Sequence, residues 1–541
     1  MLPSWQLKTL IITVILAFCL TSAEAYAQVY GPLPESFNTL RQNSSSTIEL
    51  SESRAWIGPG LNWIDLDDGE IGIPVTADSV FSGRGRVFSF SVQQERILAG
   101  LGYTSDRTDT PVNAAMGYYR SLDNGNSWNF IPFPLDDPPP PGSCEESPVG
   151  TPCDIEFQYG EERYLRTRIT VPEQSPPFEV DFSGSTILSV NWASGLLRSR
   201  DNGESWRRLI LPPSGVTQMN PGDSLAWFSR TPDGETVNRY DPRFDNNLLG
   251  FGLLIDRDGR VWVGTAGGIN ISENALTAPF EEIRWRRTAF DPESPDGLLA
   301  NWIISIREQP ETGRVWMTNW RTDPQNRDSF GIVSTSDLGS SFQHYLEGVR
   351  VNDIGFTRNA IFAASDEGLY ISRNGGESWD VIREIDGTRS FIGAGARFFT
   401  VSGRNRSVWA GTSDGIAFSR DEGESWEVIR TEVPLSGGSV YQPDAPDVEA
   451  YAYPNPFSPT LHDRVRIKFK LNEPGEATLR IFDFGMNLVR TIPMNPVGSA
   501  GTYETVWDGR TESGRIVANG TYFYSIRSEG GQAEGKILLL D

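Results

Sequence analysis

The sequence predicts an all-β protein, with a large domain of repeated small sheets followed by a smaller β domain. The chain has 541 residues with 54 Gly, 36 Pro, 16 Trp, 16 Tyr and 28 Phe, which is typical of turn-rich β proteins. One eight-residue pattern recurs five times along the first 430 residues. Beyond residue 450, apolar and polar residues alternate with period two through several strand-length runs.

The recurring pattern is S/T-x-D-x-G-x-S-W, which suits a tight turn between two strands. Its copies are SLDNGNSW at 121–128, SRDNGESW at 199–206, TSDLGSSF at 335–342, SRNGGESW at 372–379 and SRDEGESW at 419–426. We expect the acid or amide and the hydroxyls to bond local backbone, glycine to take a positive φ, and tryptophan to insert between sheets. The pattern therefore predicts structural roles for Asp123, Asp201, Asp337, Asn374 and Asp421.

These copies resemble the Asp box, or BNR repeat, of sialidase-like and sortilin-like β-propellers, and the strands before them resemble the regulator-type propeller repeat. RVWVGTAGGINIS at 260–272 and SVWAGTSDGIAFS at 407–419 each place two strands before the turn, and a strand such as WEVIR follows it. The resemblance implies a six- to seven-bladed β-propeller over 48–430. Six blades end near residues 131, 210, 288, 346, 383 and 430, and 48–65 is the candidate for a seventh.

A linker at 431–449, rich in Pro, Gly and Ser, leads to the second domain at 450–541. This domain resembles the FlgD-type Ig-like domain, in the form of a type IX secretion sorting domain, through YPNPF at 453–457, WDG at 507–509 and GTY at 520–522. The resemblance implies a small antiparallel sandwich and a partner in the outer-membrane secretion machinery. Sorting domains of this class usually end on a basic residue, whereas this sequence ends on Asp541, and the module also occurs as a plain accessory domain.

The N-terminus predicts export. One positive charge precedes an apolar run at 9–22, and AEAYA at 23–27 offers small residues at signal-peptidase spacing. We expect a signal peptide at 1–27, an N-terminal segment at 28–47, no transmembrane span in the mature chain, and a secreted or outer-surface location. Lipidation at Cys19 is the alternative to cleavage.

Only Cys144 and Cys153 would remain after cleavage, in an oxidising compartment. We expect them to form a disulfide across a short loop, with two free thiols as the alternative.

Charge and composition exclude several function classes. Lys and Arg number 47 against 71 Asp and Glu, a net charge of −24 that argues against a nucleic-acid partner. The two histidines, His344 and His462, lie in different domains, so neither a Ser-His triad nor a histidine zinc site is expected. The arginine signature of sialidases is missing. The acidic turn at 65–70 lacks EF-hand spacing and is interpreted as a solvated turn. We assign no catalytic residue, metal or cofactor.

Four insertions are expected on one face of the propeller, the face that carries the connections between blades. They are 104–116, 132–163, 211–248 and 319–330, and the motif turns lie on the opposite face. Asn-Trp pairs also fall at strand ends on this face and suit sugar recognition. The candidate ligand-binding residues are Asn191, Trp192, Asn301, Trp302, Asn319, Trp320 and Arg321, with tryptophan packing between blades as the alternative.

Three hypotheses follow from these patterns. The first is a secreted or cell-surface propeller that binds an extracellular glycan or a cell-surface protein and is exported through its C-terminal domain. The second is an extracellular polysaccharide hydrolase with two carboxylates in a deep groove. The third is a structural or assembly factor with a flat face and buried tryptophans.

Overall fold

The structure is a computed structural model that describes residues 40, 42–67, 69–72, 85–144, 149–150, 153–231, 234–323, 325, 327–387, 390–431, 449–460, 462, 464–494, 500–529 and 531–541. The predicted signal peptide, residues 28–39 and 41 of the predicted N-terminal segment and residues 432–448 of the predicted linker lie outside these residues.

Seven antiparallel sheets form the propeller in the described part of the chain. The first blade contains β1 Thr47–Leu50, β2 Arg54–Gly58, β3 Asn62–Asp65 and β4 Ile71–Gly72, and the second contains β5 Gly85–Gln93, β6 Arg96–Ser105, β7 Val112–Ser121 and β8 Asn129–Pro132. A hairpin of β9 Ile155–Tyr159 and β10 Glu162–Arg166 follows. The third blade contains β11 Pro177–Ser183, β12 Thr186–Asn191, β13 Gly195–Ser199 and β14 Arg207–Leu209.

The fourth blade gains a fifth, outer strand from the insertion before it, and a small hairpin lies within that insertion. Its elements are β15 Gln218–Met219, the hairpin β16 Phe228–Arg230 and β17 Thr236–Asn238, a 3-10 helix Asn246–Leu248, β18 Gly250–Ile255, β19 Val261–Thr265, β20 Gly268–Ser272, a 3-10 helix Phe280–Glu282 and β21 Trp285–Thr288. The sheet order is β15-β21-β20-β19-β18.

The remaining three blades each have four strands. The fifth blade contains β22 Trp302–Glu308, β23 Val315–Trp320, β24 Gly331–Thr335 and β25 Gln343–Tyr345, and the sixth contains β26 Val351–Phe356, β27 Ile361–Ser365, β28 Gly368–Ser372 and β29 Asp380–Ile382. A short pair of strands follows, β30 Ile385–Asp386 and β31 Phe391–Ile392. The seventh blade contains β32 Phe398–Arg404, β33 Ser407–Thr412, β34 Gly415–Ser419 and β35 Glu427–Ile429.

The innermost strands close into a ring. Each of β1, β5, β11, β18, β22, β26 and β32 packs against the next, and β1 lies between β5 and β32. The candidate seventh blade at 48–65 is therefore a complete blade, made by one continuous segment of chain. We call the space enclosed by these seven strands the axial channel.

The five motif turns are held by their own side chains. In the first copy, Ser127 donates to Asp123 from its backbone N (2.8 Å) and its Oγ (2.6 Å), and Gly125 N donates to Ser121 Oγ (2.8 Å). The same contacts recur at Asp201, Asp337 and Asp421. At Asn374 the amide Oδ1 accepts from Ser378 N (3.0 Å), while Nδ2 donates to Ser378 Oγ (2.9 Å). These hydrogen bonds lower the pKa of Asp201, Asp337 and Asp421 to about 2.

Neighbouring blades are joined at these turns. Trp128 packs edge-on against Trp56 of the preceding blade, with ring centroids 5.5 Å apart, and Trp206 stacks on Tyr118 at 4.8 Å. Arginines of the preceding blade also donate to a backbone oxygen of two motif turns, Arg54 to Asn124 (2.6 Å) and Arg120 to Asn202 (2.5 Å). In the fourth blade, which carries none of the five copies, Arg198 donates to Ala275 O (2.5 Å) in the equivalent turn between β20 and β21. The turns thus belong to the packing of the disc, because both the tryptophans and the turn carbonyls contact the blade before them.

The C-terminal domain is a two-sheet antiparallel sandwich. Its sheets are β36-β37-β40 and β39-β38-β41-β42, and its core includes Phe457, Ile481, Trp507 and Tyr524. The strands are β36 Ala450–Tyr453, β37 Val465–Leu471, β38 Ala477–Phe482, β39 Leu488–Pro493, β40 Gly501–Trp507, β41 Gly520–Ser528 and β42 Gly531–Leu539.

The sandwich contacts the seventh blade through Arg466. Its Nη2 donates to Asp414 Oδ2 (2.8 Å) and to the backbone oxygen of Phe391 (2.7 Å). Asp414 also pairs with Arg430 of the propeller at 2.5 Å. Since Asp414 lies between β33 and β34, the sandwich touches the face that carries the blade connections.

Candidate binding site at the mouth of the axial channel

The innermost strand of six blades carries a bulge near its first residues. The pairing between first and second strands skips Phe88, Phe178, Phe251, Asn352 and Phe399, and in the fifth blade it skips Ile304 and Ser305. A bulge adds an unpaired residue and redirects its side chain. The chain enters each innermost strand from the face of the blade connections, so these side chains are placed where the axial channel opens on that face, which we call the mouth.

Aromatic residues of blades two to five form a continuous arc at the mouth. Ring centroids of Phe88 and Phe178 are 6.1 Å apart, and those of Phe178 and Phe251 are 5.8 Å apart. Trp192 lies 4.9 Å from Phe251 and 5.7 Å from Trp302, which itself lies 5.1 Å from Phe251. Phe251 and Trp302 are buried, whereas Phe88, Phe178 and Trp192 are half-buried and offer apolar surface to a ligand. We call these five residues the mouth arc.

The structure brings together all three tryptophans predicted from the sequence. Trp320 stands opposite Trp302 in the pairing of β22 with β23 and, like Trp192, packs against the cluster that contains Phe251 and Trp302. Its Nε1 donates to Val351 O (2.7 Å), and the Arg350 guanidinium lies 3.9 Å from its ring centroid. The neighbouring Arg321 lies over Phe330 at 5.3 Å.

The side chains of the three predicted asparagines form hydrogen bonds with backbone groups. Asn191 donates to the oxygens of Ser189 (3.2 Å) and Gly195 (3.1 Å) and is fully buried. Asn301 accepts from Phe290 N (2.8 Å). Asn319, also fully buried, accepts from Leu299 N (3.0 Å) and Ala300 N (3.1 Å). Their amides fix the strand ends that position the tryptophans, so their recurrence in the sequence has a structural reason.

Below the mouth, one arginine joins three blades across the channel. Arg307 of β22 places Nη1 3.2 Å from Glu179 Oε2 of β11, and Nη2 3.3 Å from Asp353 Oδ1 of β26. Glu49 of β1 lies 3.9 Å from Nη2. Asp353 also accepts from Ser305 and Thr400, and Asp181 accepts from Ser91 and Ile255 N, so these carboxylates tie neighbouring blades together. We call Glu49, Glu179, Arg307 and Asp353 the channel network.

Burial shapes the charge of the channel network. It raises the pKa of Glu49 to about 7 and that of Glu179 to about 8, although Arg307 opposes both shifts. It also raises the pKa of Asp181, despite the hydrogen bonds of that carboxylate. One guanidinium faces several carboxylates, so it does not offset the effect of burial on the pKa values of Glu49 and Glu179.

Parts of two of the four insertions lie along the rim of the disc. β15 pairs with β21 at the outer edge of the fourth blade. At the tip of the β9–β10 hairpin, Tyr159 Oη donates to Ile283 O (2.7 Å) and Gly160 N to Glu281 O (3.2 Å), in the segment between β20 and β21. The expectation that all four insertions lie on one face is therefore wrong for this hairpin and for β15, whereas Asn247, near the end of 211–248, packs on Gly267 of the β19–β20 turn on the face of the blade connections. Apolar residues of the two insertions, including Trp227 and Tyr240, cover the outer strands of blades three and four.

The rim hairpin is tethered by a disulfide. Cys144 and Cys153 are bonded, with Cα atoms 5.4 Å apart, in the segment that leads into β9. The disulfide restricts the conformations available to the chain just before the β9–β10 hairpin.

Both histidines contact neighbouring residues, and Nδ1 of His344 lies 3.6 Å from Glu347 Oε1. His344 Nε2 lies 2.7 Å from Gly297 O, and His462 Nδ1 accepts from Ser458 N (3.0 Å). Among the described residues, no three His, Cys, Asp or Glu side chains are grouped to hold a metal ion. Within the same residues, no helix has the length and apolar character to cross a membrane.

Sequence reasoning missed the phenylalanines of the mouth arc and the whole channel network. The sequence did carry a signal for the phenylalanines, because one stands near the start of four of the innermost strands: Phe88, Phe178, Phe251 and Phe399. The channel network had no local signal, since its four residues come from four separate blades.

Comparison with known proteins identifies the C-terminal domain. Residues 458–532 match the FlgD Ig-like domain, which confirms that part of the prediction. A search of the curated proteins gives no match.

Several solved structures share the propeller fold. PorZ of Porphyromonas gingivalis, described as an essential bacterial surface component of the type-IX secretion system, is 13% identical, with 92% of this chain and 87% of that chain covered and a TM-score of 0.29. The GH74 xyloglucanase of Xanthomonas campestris is 12% identical, with 93% and 75% covered and a TM-score of 0.46. YCF48 bound to D1 peptide is 14% identical, with 76% and 98% covered and a TM-score of 0.38. Likenesses of this strength concern the fold and carry no function to this chain.

Proposed function

We propose that this protein is a secreted or cell-surface propeller that binds a glycan at the mouth arc and is exported through its C-terminal sandwich. The observation that carries the proposal is the arc itself: five aromatic side chains from four blades meet at one end of the channel. The five motif turns fit Asp boxes of the BNR type in this proposal, with a structural role.

The chemistry of the mouth suits a sugar. Half-buried aromatic faces stack on the C–H faces of pyranose rings, while flanking polar groups bond the hydroxyls. Arg86 lies 4.7 Å from the Phe88 ring centroid at one end of the arc, and Arg350 lies beside Trp320 beyond the other end. These guanidinium groups provide donors at the edges of an apolar platform.

The hydrolase hypothesis gains no specific support from the site. Hydrolysis by two carboxylates needs an acid and a base, or a nucleophile, on either side of the scissile bond. Glu179 and Asp353 lie beneath the mouth and both contact Arg307, which holds them within one ion-pair network.

Substituting Trp192 with alanine is expected to weaken glycan binding by the mature chain, residues 28–541. Loss of a central aromatic contact costs about 2 kcal/mol, a roughly 30-fold weaker affinity. A glycan array identifies the sugar, and calorimetry measures the affinity.

Phe399→Ala is the matched control for Trp192→Ala. Phe399 occupies the same bulge position in the seventh blade, outside the arc, and is also half-buried. Equal losses in the two variants, or binding of the intact protein to no glycan, would sink the mouth-arc proposal. Release of shortened sugars would favour the hydrolase instead.

The export proposal predicts that residues 450–541, fused behind a periplasmic reporter, carry it to the surface of a bacterium with a type IX system. The domain has its own hydrophobic core, so it is expected to fold in the fusion. Cell fractionation locates the reporter. A Trp507→Ala fusion, in which the fully buried core tryptophan is removed, should leave it in the periplasm. A reporter retained by both fusions would contradict the proposal.

A further inference from the structure

A second cavity lies on the rim, away from the mouth. It has a volume of about 360 Å³ and opens between the outer strand of the third blade and the β9–β10 hairpin. This volume falls at the lower end of the range for small-ligand sites, about 300–1,000 Å³. Trp206, Phe157 and Phe280 border it, together with Arg166, Arg207 and Arg208. We call it the rim cavity.

The arginines of the rim cavity are unequally neutralised. Arg166 forms a two-pronged pair with Asp136, at 2.7 and 2.8 Å. Arg208 is more deeply buried, with its side chain 6% exposed, yet its nearest carboxylate oxygen, on Asp136, is 3.9 Å from Nη2. Its Nη1 donates to Ser194 O (2.8 Å), and its Nε has no hydrogen-bond partner among the described residues.

The charge of Arg208 is therefore incompletely compensated. Burial lowers its pKa to about 10, which reflects the cost of holding a cation away from water. Asp136 cannot serve Arg208 fully, because both of its oxygens are engaged by Arg166 and one also accepts from Ile169 N. An anion in the rim cavity would supply the missing compensation.

The walls of the rim cavity add a preference for a ring. One face of the Trp206 indole is stacked on Tyr118, and the ring borders the cavity. Arg207 is half exposed, pairs with Glu281 at 3.1 Å and lies 4.0 Å from the Phe280 ring centroid, so its guanidinium is held at the cavity edge with its charge already compensated. Aromatic walls with arginine donors suit a sugar ring that carries a carboxylate.

We propose that the rim cavity is a binding site for an acidic sugar, with Arg208 receiving the carboxylate of a uronic acid and the aromatic walls contacting its ring. The site is independent of the mouth arc, which belongs to the opposite edge of these blades near the axis. A carboxylate is required because it is the charge that Arg208 lacks.

The test uses the mature chain with short oligogalacturonides and their methyl esters, measured by calorimetry. The free acids should bind and the esters should bind at least about tenfold more weakly, because esterification removes the charge-assisted hydrogen bonds. Arg208→Gln should weaken binding of the acids by about tenfold for the same reason. Arg208→Lys keeps the positive charge but loses the planar guanidinium that can donate two parallel hydrogen bonds to a carboxylate, so it should also weaken binding of the acids.

Arg200→Ala is the matched control, because Arg200 lies in the motif turn of the same blade, is exposed and does not border the rim cavity. It should bind the acids as the intact protein does, and so should Trp192→Ala, which separates this site from the mouth. Equal binding of acids and esters, or loss of binding in Trp192→Ala, would overturn the proposal. Binding of acidic peptides in place of the sugars would also overturn it.

Discussion

Replacing Arg307 with methionine is expected to destabilise the propeller far more than the loss of an exposed ion pair between blades. The substitution removes the one cation from the channel network and leaves Glu179 and Asp353, 3.2 and 3.3 Å from it, without compensation. Breaking a buried ion pair on one side typically costs about 3–5 kcal/mol. The thermal unfolding midpoint of the propeller should fall by several degrees, measured by calorimetry on the mature chain.

Arg404→Met provides the comparison. Arg404 also joins two blades, through a 3.2 Å contact with Glu52, but the two side chains are 41% and 74% exposed. Exposed pairs contribute about 0–1 kcal/mol, since water and salt screen them. If the two variants unfold at the same temperature, the channel network does not hold the blades together.

The sequence predicted what short-range chemistry determines. The turn around Asp201 is closed by residues within four positions of it, so a single motif contains all the partners of its hydrogen bonds. Repetition of that motif indicated blades, and the alternation beyond residue 450 indicated a sandwich. The seven-bladed ring was harder to predict, because the first blade carries no copy of the motif.

Long-range pairing limited the prediction of the site. Trp192 and Trp302 were selected as members of Asn-Trp pairs, yet the asparagines proved to support backbone and the phenylalanines beside the tryptophans were overlooked. A bulge is defined by the register between two strands, so a single strand sequence does not reveal where Phe251 points. The rim position of the hairpin likewise depends on contacts between Tyr159 and Ile283, 124 residues apart.

The channel network also predicts how the propeller responds to pH. In the unfolded chain Glu49 and Glu179 have a pKa near 4.5, and burial raises it to about 7 and about 8 in the folded protein. The folded state therefore binds more protons between these limits, and the free energy of unfolding should fall as pH rises from about 5 to about 8. The slope is at most about 1.4 kcal/mol per pH unit for each proton.

Glu179→Gln should flatten this dependence, because a neutral amide can still accept from Arg307 and has no proton to lose. The groups facing it remain Glu49, Asp181, Arg307 and Asp353. Denaturant unfolding at pH 5.5 and pH 8 measures how much the free energy of unfolding differs between the two pH values. Both lie in the range of about 5 to 8 that the raised pKa values set. Asp201→Asn is the control, because the pKa of Asp201 is about 2 and its carboxylate stays ionised throughout. If the free energy of unfolding still falls with pH in Glu179→Gln, or no longer falls in Asp201→Asn, the protons are taken up outside the channel network. Either result would contradict the argument that Arg307 is shared among more carboxylates than it can neutralise.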